Sequence, residues 1–173
     1  MQAFGRAFKE SLARIKARFK EAPDRVNTSG PGKTFADNTV FTNRVEFTAS
    51  IGRTYKVIQR NDINWGFVRQ SEKGPRDFIG KTNAEAAAAG FRPELPGGNF
   101  VTLHHSRQSA KGPWFEASTR YHNIRTAKKA PLHPFRGGQH PDFPLGDTKR
   151  GSLRYDFQNI ESPEYWKWRV NNP

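Results

Sequence analysis

The chain has 173 residues, room for one globular domain with a real core plus an appendage, and it contains no cysteine. That excludes disulfides, thiol catalysis and Cys-ligated zinc, so any metal must be held by His, Asp, Glu, Asn or water. Lys and Arg number 29 against 16 Asp and Glu, a formal charge of +13 that calls for an anionic partner; no apolar run reaches bilayer length and no secretory signal core is present, so no stable membrane association is expected.

In chain order, residues 1–22 read as a basic amphipathic helix. Phe4, Phe8, Leu12, Ile15 and Phe19 recur at three- and four-residue spacing, and Pro23 ends the run. Residues 23–35 read as a linker, which sets a division into residues 1–35 and a domain over 36–173. The "GPGKT" within the linker is not a phosphate loop: the first glycine of that motif would fall on Asn27, and no hydrophobic strand precedes it. Residues 40–60 are rich in β-branched and aromatic side chains and predict two strands.

"KTNAEAAAAG" predicts a short helix, with Thr82 as N-cap, Glu85 completing a capping box and Gly90 closing it. After "PELPGG" a strand runs into the adjacent His104 and His105, two of only five histidines in the chain. Residues 116–129 predict a helix capped by Ser118 or Thr119, with Lys128 and Lys129 at its negative end. Residues 130–152 read as a long ordered loop, and Ser162–Pro163 predicts the start of a last helix whose Trp166 and Trp168 pack inward.

A histidine pair at a strand end, with His122 and His133 downstream, is an economical way to hold one divalent cation against a phosphodiester. Imidazole ligates zinc and nickel well and is the natural general base near neutral pH. Successive strand residues face opposite sides, so both histidines serve one site only if the chain bends. On spacing alone, imidazoles with a purely structural role fit equally well.

The ordered motifs "QRNDI", the "TN" helix ending at Gly90, "LHH" with Gln108, "GPWFE", "YHN", "LHP" and "YWKWR" decide between these. Together they resemble the LHH family of bacterial toxin nucleases, within the HNH/endonuclease VII superfamily, across residues 54–169. The resemblance implies an α+β fold with a ββα-metal active site. It implies one divalent metal (Mg, Zn, Ni or Mn) and hydrolysis of DNA by water. It gives His105 the role of general base and makes His104 and His133 metal ligands. His122 or Asn123 takes the middle position, orienting the base or completing the metal shell. "IRTAKKAP" separates His122 from His133 by more residues than the compact motif has, which leaves His122, His133 and the spare His140 as alternative ligands.

Glu116, a candidate catalytic residue, and Gln108, a supporting one, fall where the family motif has polar residues, and either orient a metal-bound histidine or lie exposed at the surface. Arg60 and Asp62 either meet phosphate and brace the site or form a structural ion pair. Arg107, Arg120, Arg125, Lys128 and Lys129 flank the site as candidate grips on the DNA backbone. The implied setting is an interbacterial effector made in the bacterial cytoplasm, exported without a Sec signal and acting in the target cell's cytoplasm. An acidic immunity protein would be its partner, and residues 1–35 would meet a secretion carrier or adaptor. A non-catalytic nucleic-acid-binding module and a metal-dependent RNase are the competing functions.

Overall fold

The computed structural model describes residues 40–106, 109–119, 122, 140, 142–143 and 146–173, together with the backbone of 26–27 and 34–35. The helix expected over residues 1–22 lies outside these. Within the expected linker, β1 (Val26–Asn27) and β2 (Thr34–Phe35) pair antiparallel.

The two strands expected over 40–60 form β3 (Phe41–Thr48) and β4 (Thr54–Arg60). Gly52, at φ +82°, closes the turn between them, where its amide donates to the Ala49 carbonyl at 2.9 Å. In β4 the alternating Tyr55, Val57 and Gln59 are buried while Thr54 and Lys56 are exposed, the period of a strand with one covered face.

The helix α1 (Asn83–Ala88) has the predicted capping box: Glu85 N–H donates to the Thr82 side chain, and the Glu85 carboxylate accepts from Thr82 N–H at 2.6 Å. Asn83 is buried, and its amide bridges the Asn64 and Glu94 carbonyls at 2.9 and 2.8 Å. β5 (Glu94–Leu95) and β6 (Asn99–His105) form the next hairpin, and β6 ends on the histidine pair as expected.

Two expectations are corrected. Residues 116–129 were expected to be helical, but Glu116–Ser118 belong to β7 (Trp114–Ser118). That strand pairs with β6 on one side and β4 on the other, and a fully buried central strand outweighs the helix propensity of Glu and Ala. Beyond it the His122 amide donates to the Ser118 carbonyl at 2.9 Å, the i+4 spacing of a helix counted from the expected cap Ser118; the rest of that expected helix is outside the described residues.

The last helix starts ten residues earlier than Ser162–Pro163 suggested. Ser152 caps α2 (Leu153–Asp156), a π-helical turn (Phe157–Glu161) follows, and α3 (Ser162–Asn171) completes the run. Pro163 has no N–H to give and its ring crowds the preceding turn; the wider π turn directly before it accommodates both demands.

The sheet order is β3-β4-β7-β6-β5, with β4 and β7 parallel and the other neighbours antiparallel, so the chain has the α+β class expected of it. The C-terminal helical run covers one face. There Phe47, Tyr55, Val57, Leu103 and Trp114 pack against Tyr165 and Trp166, with Trp168 partly buried at the margin, as predicted for the two tryptophans. Among the described residues no helix is long and apolar enough to cross a membrane.

Candidate active site

β6 and β7 place the two histidines. In the ladder His104 stands opposite Phe115 and His105 opposite Trp114, so the rings point to opposite faces. His104 is buried, and its ring centroid lies 4.9 Å from that of His122 with the planes at 72°. The turn following β7 delivers His122 to that position.

His105 faces the aromatic side of the sheet. Its centroid is 4.5 Å from Phe157, 4.6 Å from Phe143, 5.6 Å from Trp114 and 6.2 Å from Tyr55. Its Nε2 is buried and meets no hydrogen-bond partner among the described residues. Burial, with a smaller contribution from nearby His140 and His122, drops its pKa from 6.5 to about 3. The imidazole is therefore neutral throughout the physiological range, and the same burial makes it a weak proton acceptor until an anion lies beside it.

His140, the spare ligand, is engaged otherwise. Its Nδ1 accepts from the amides of Asp142 and Phe143 at 3.2 and 3.0 Å, which shapes the turn that presents Phe143 to His105. His133, Asn123, Arg107, Gln108, Arg120, Arg125, Lys128 and Lys129 lie outside the described residues.

Of the two readings of Arg60 and Asp62 the structure has the ion pair, and Glu116, a candidate at the catalytic histidines, has a structural role instead. Arg60 is fully buried, donating from Nε and Nη2 to Asp62 at 2.7 and 2.8 Å, so it meets a carboxylate of its own chain and is not displayed to DNA. Glu116 is also fully buried, and it ties three segments together. Its Oε2 accepts from the Arg60 amide at 2.6 Å, and its Oε1 accepts from Tyr165 O–H at 2.6 Å and Arg169 Nε at 2.8 Å. Arg169 Nη2 completes the knot on the Arg60 carbonyl at 3.0 Å. Burial pushes the Glu116 carboxyl up, against the pull of Arg169 and the other donors. It latches α3 to the centre of the sheet and does not face the imidazoles.

A second latch, not anticipated from sequence, stands beside His105. Tyr55 O–H donates to Glu161 at 2.6 Å, and Arg53 reaches Glu161 and Asp156 at 3.3 and 3.0 Å. It holds the π turn, and with it Phe157, over the His105 imidazole.

The family model of LHH, a nuclease of the HNH/ENDO VII superfamily with conserved LHH, matches residues 82–172, more than half of the chain. The chain belongs to that family. No curated protein and no solved structure matches it. The matched span opens on the Thr82 cap and closes at the end of α3, so it contains the histidine pair, His122 and the Glu116–Tyr165–Arg169 knot; the "QRNDI" strand precedes it. The LHH chain is thus a nuclease, from a superfamily whose members are generally dependent on a divalent metal.

The donor set can be tested for fit to such a metal. Among the described residues no three His, Asp or Glu side chains form a group that would hold a cation. Two imidazoles on one cation, each through a bond of about 2.1 Å, bring their centroids to roughly 5 Å, and the His104–His122 pair at 4.9 Å meets that condition. These two residues fit as part of a ligand set.

Proposed function

We propose that this LHH nuclease is a metal-dependent DNA endonuclease that acts as an interbacterial toxin. The observation that carries the reading is the pairing of His104 with His122 at ligand spacing. His105, the base that the family resemblance implies, points to the opposite face of the strand, so it would serve the same phosphate across the end of β6. His104 and His122 would hold the cation, with His133 as third ligand. Bound there, a divalent cation supplies Lewis-acid polarisation of a phosphate oxygen and stabilises charge on the departing 3′ oxygen.

His105 takes a proton from an in-line water as its oxygen attacks phosphorus and the P–O3′ bond breaks. Burial keeps the base unprotonated, and the negative charge of a bound phosphate raises its proton affinity toward the working pH. Water as nucleophile requires no 2′-hydroxyl, which makes DNA a competent substrate and leaves 5′-phosphate ends.

The charge of +13 supports a polyanionic substrate and an acidic immunity protein that masks it in the producing cell. Residues 36–173 are read as the nuclease unit and 1–35 as the part that meets a carrier or adaptor. Action in the target-cell cytoplasm completes the reading.

Nicking of supercoiled plasmid by the full chain, with Mg²⁺, Mn²⁺, Ni²⁺ or Zn²⁺ added singly, tests it. Cleavage that EDTA and His105→Ala both abolish is expected. Binding without cutting indicates a non-catalytic module, and degradation of RNA alone indicates an RNase.

A further inference from the structure

β4 and β7 run parallel, but their register holds only at Val57–Trp114 and Ile58–Phe115. Ahead of these pairs the strands part. β4 continues back through Lys56, Tyr55 and Thr54 with its ladder pairing to β3 alone, while residues 110–113 run beside the end of β6, where the Ser106 amide donates to the Pro113 carbonyl at 2.8 Å.

The gap between them is an open groove of about 550 Å³, lined by residues 53–56 and 110–113. Its volume falls within the roughly 300–1,000 Å³ of small-molecule sites. Tyr55 joins the groove to the catalytic centre: its ring stacks on Trp114 at 3.9 Å and meets the edge of His105 at 6.2 Å.

The lining carries Arg53, Lys56 and Lys111 and, among the described residues, no carboxylate. Arg53 is taken up by Asp156 and Glu161, and Lys56 has Glu46 as its register partner on β3, which leaves Lys56 and Lys111, both exposed, as the cations of the lining within reach of a ligand. An exposed lysine is a mobile point charge suited to a phosphate and indifferent to base identity.

Resting on the DNA-cleaving reading above, we propose that this groove seats the DNA backbone beside the scissile phosphate, with Lys56 and Lys111 each contacting one phosphate. Neither residue contributes to the chemistry; Lys56 projects from the face of β4 opposite Tyr55, so the pair sets where the strand runs as it approaches the end of β6.

The test is fluorescence anisotropy of a short, labelled, mixed-sequence DNA duplex with the full chain in EDTA, over about 50 to 200 mM salt. Lys56→Gln/Lys111→Gln is compared with Lys73→Gln/Lys149→Gln, which removes the same charge from exposed positions off the groove. The groove pair should weaken binding about tenfold and lower the slope of log K against log salt by about two, the counterion release of two phosphate contacts. The control pair should change the slope by less than about half a unit. Equal effects from both pairs overturn the groove while leaving the nuclease reading intact. A wild-type chain that binds no DNA overturns both.

Discussion

Replacing Arg169 by Met probes the knot that docks α3 on the sheet. Glu116 is fully buried, and Arg169 Nε is its cationic partner at 2.8 Å; with the guanidinium gone, Tyr165 O–H and the Arg60 amide are its remaining donors. Removing one member of a buried ion pair costs about 3–5 kcal/mol because the other charge is stranded. Against a typical domain stability of about 5–15 kcal/mol that is a large fraction.

The loss should depend on pH, and the sign follows from linkage. The Glu116 carboxyl is already raised above 4.5 in the folded chain by burial, and losing Arg169 raises it further. A carboxyl raised by folding favours the folded state at low pH, where it is protonated, and the advantage disappears as pH climbs through the folded pKa. Arg169→Met should therefore be most damaging at pH 8 and milder at pH 5.5, by up to about 1.4 kcal/mol per pH unit across that window. Adding Glu116→Gln should recover at least half of the loss at pH 8. Urea denaturation followed by tryptophan fluorescence at both pH values measures all of these. A cost below about 1 kcal/mol at pH 8, or a pH-independent loss that Glu116→Gln does not relieve, refutes the latch.

Gly90 sits at φ +88° with its Cβ position 3.1 Å from Pro163 Cβ, so Gly90→Ala should cost about 1–3 kcal/mol by urea titration. Glu85, held below the usual carboxylate range by the amide and hydroxyl of Thr82, contributes stability that is present above pH 4.5 and lost as pH falls through its lowered pKa. Glu85→Gln should flatten that part of a pH–melting profile. His105→Ala should lower plasmid nicking by at least about 10²-fold, the contribution of a general base, while leaving metal affinity within about threefold of wild type. His104→Ala should abolish both, as read by nicking and by calorimetric metal titration.

What the sequence could reveal was governed by how local the cause is. The α1 capping box joins Thr82 to Glu85, and the β6 strand ends where its alternating pattern meets the histidines; both follow from neighbouring residues. The strand β7 was misread because Glu116, Ala117 and Ser118 suit a helix locally, whereas their ladder partners lie in β4 and β6. The early start of the C-terminal helix was hidden by Pro163, which resembles a first-turn proline until a π turn makes room for it. At the site, "LHH" marked the imidazoles directly. The same polar pattern offered the Arg60–Asp62 ion pair but not its burial, because Glu116, which accepts from the Arg60 amide, is 56 positions away and in turn 53 from Arg169. The aromatic enclosure of His105 assembles from Tyr55, Trp114, Phe143 and Phe157, on four separate segments, and leaves no spacing signature.

The claim on which the catalytic account rests is that His104 and His122 share one cation while His105 keeps its nitrogen for a proton. Anomalous X-ray diffraction from crystals of the full chain grown with Zn²⁺ or Ni²⁺, collected at the metal's absorption edge, tests it most directly. The account predicts one peak about 2.1 Å from a ring nitrogen of each of His104 and His122, with His105 unligated. A peak bonded to His105, or metal-loaded crystals in which His104 and His122 bind none, contradicts it.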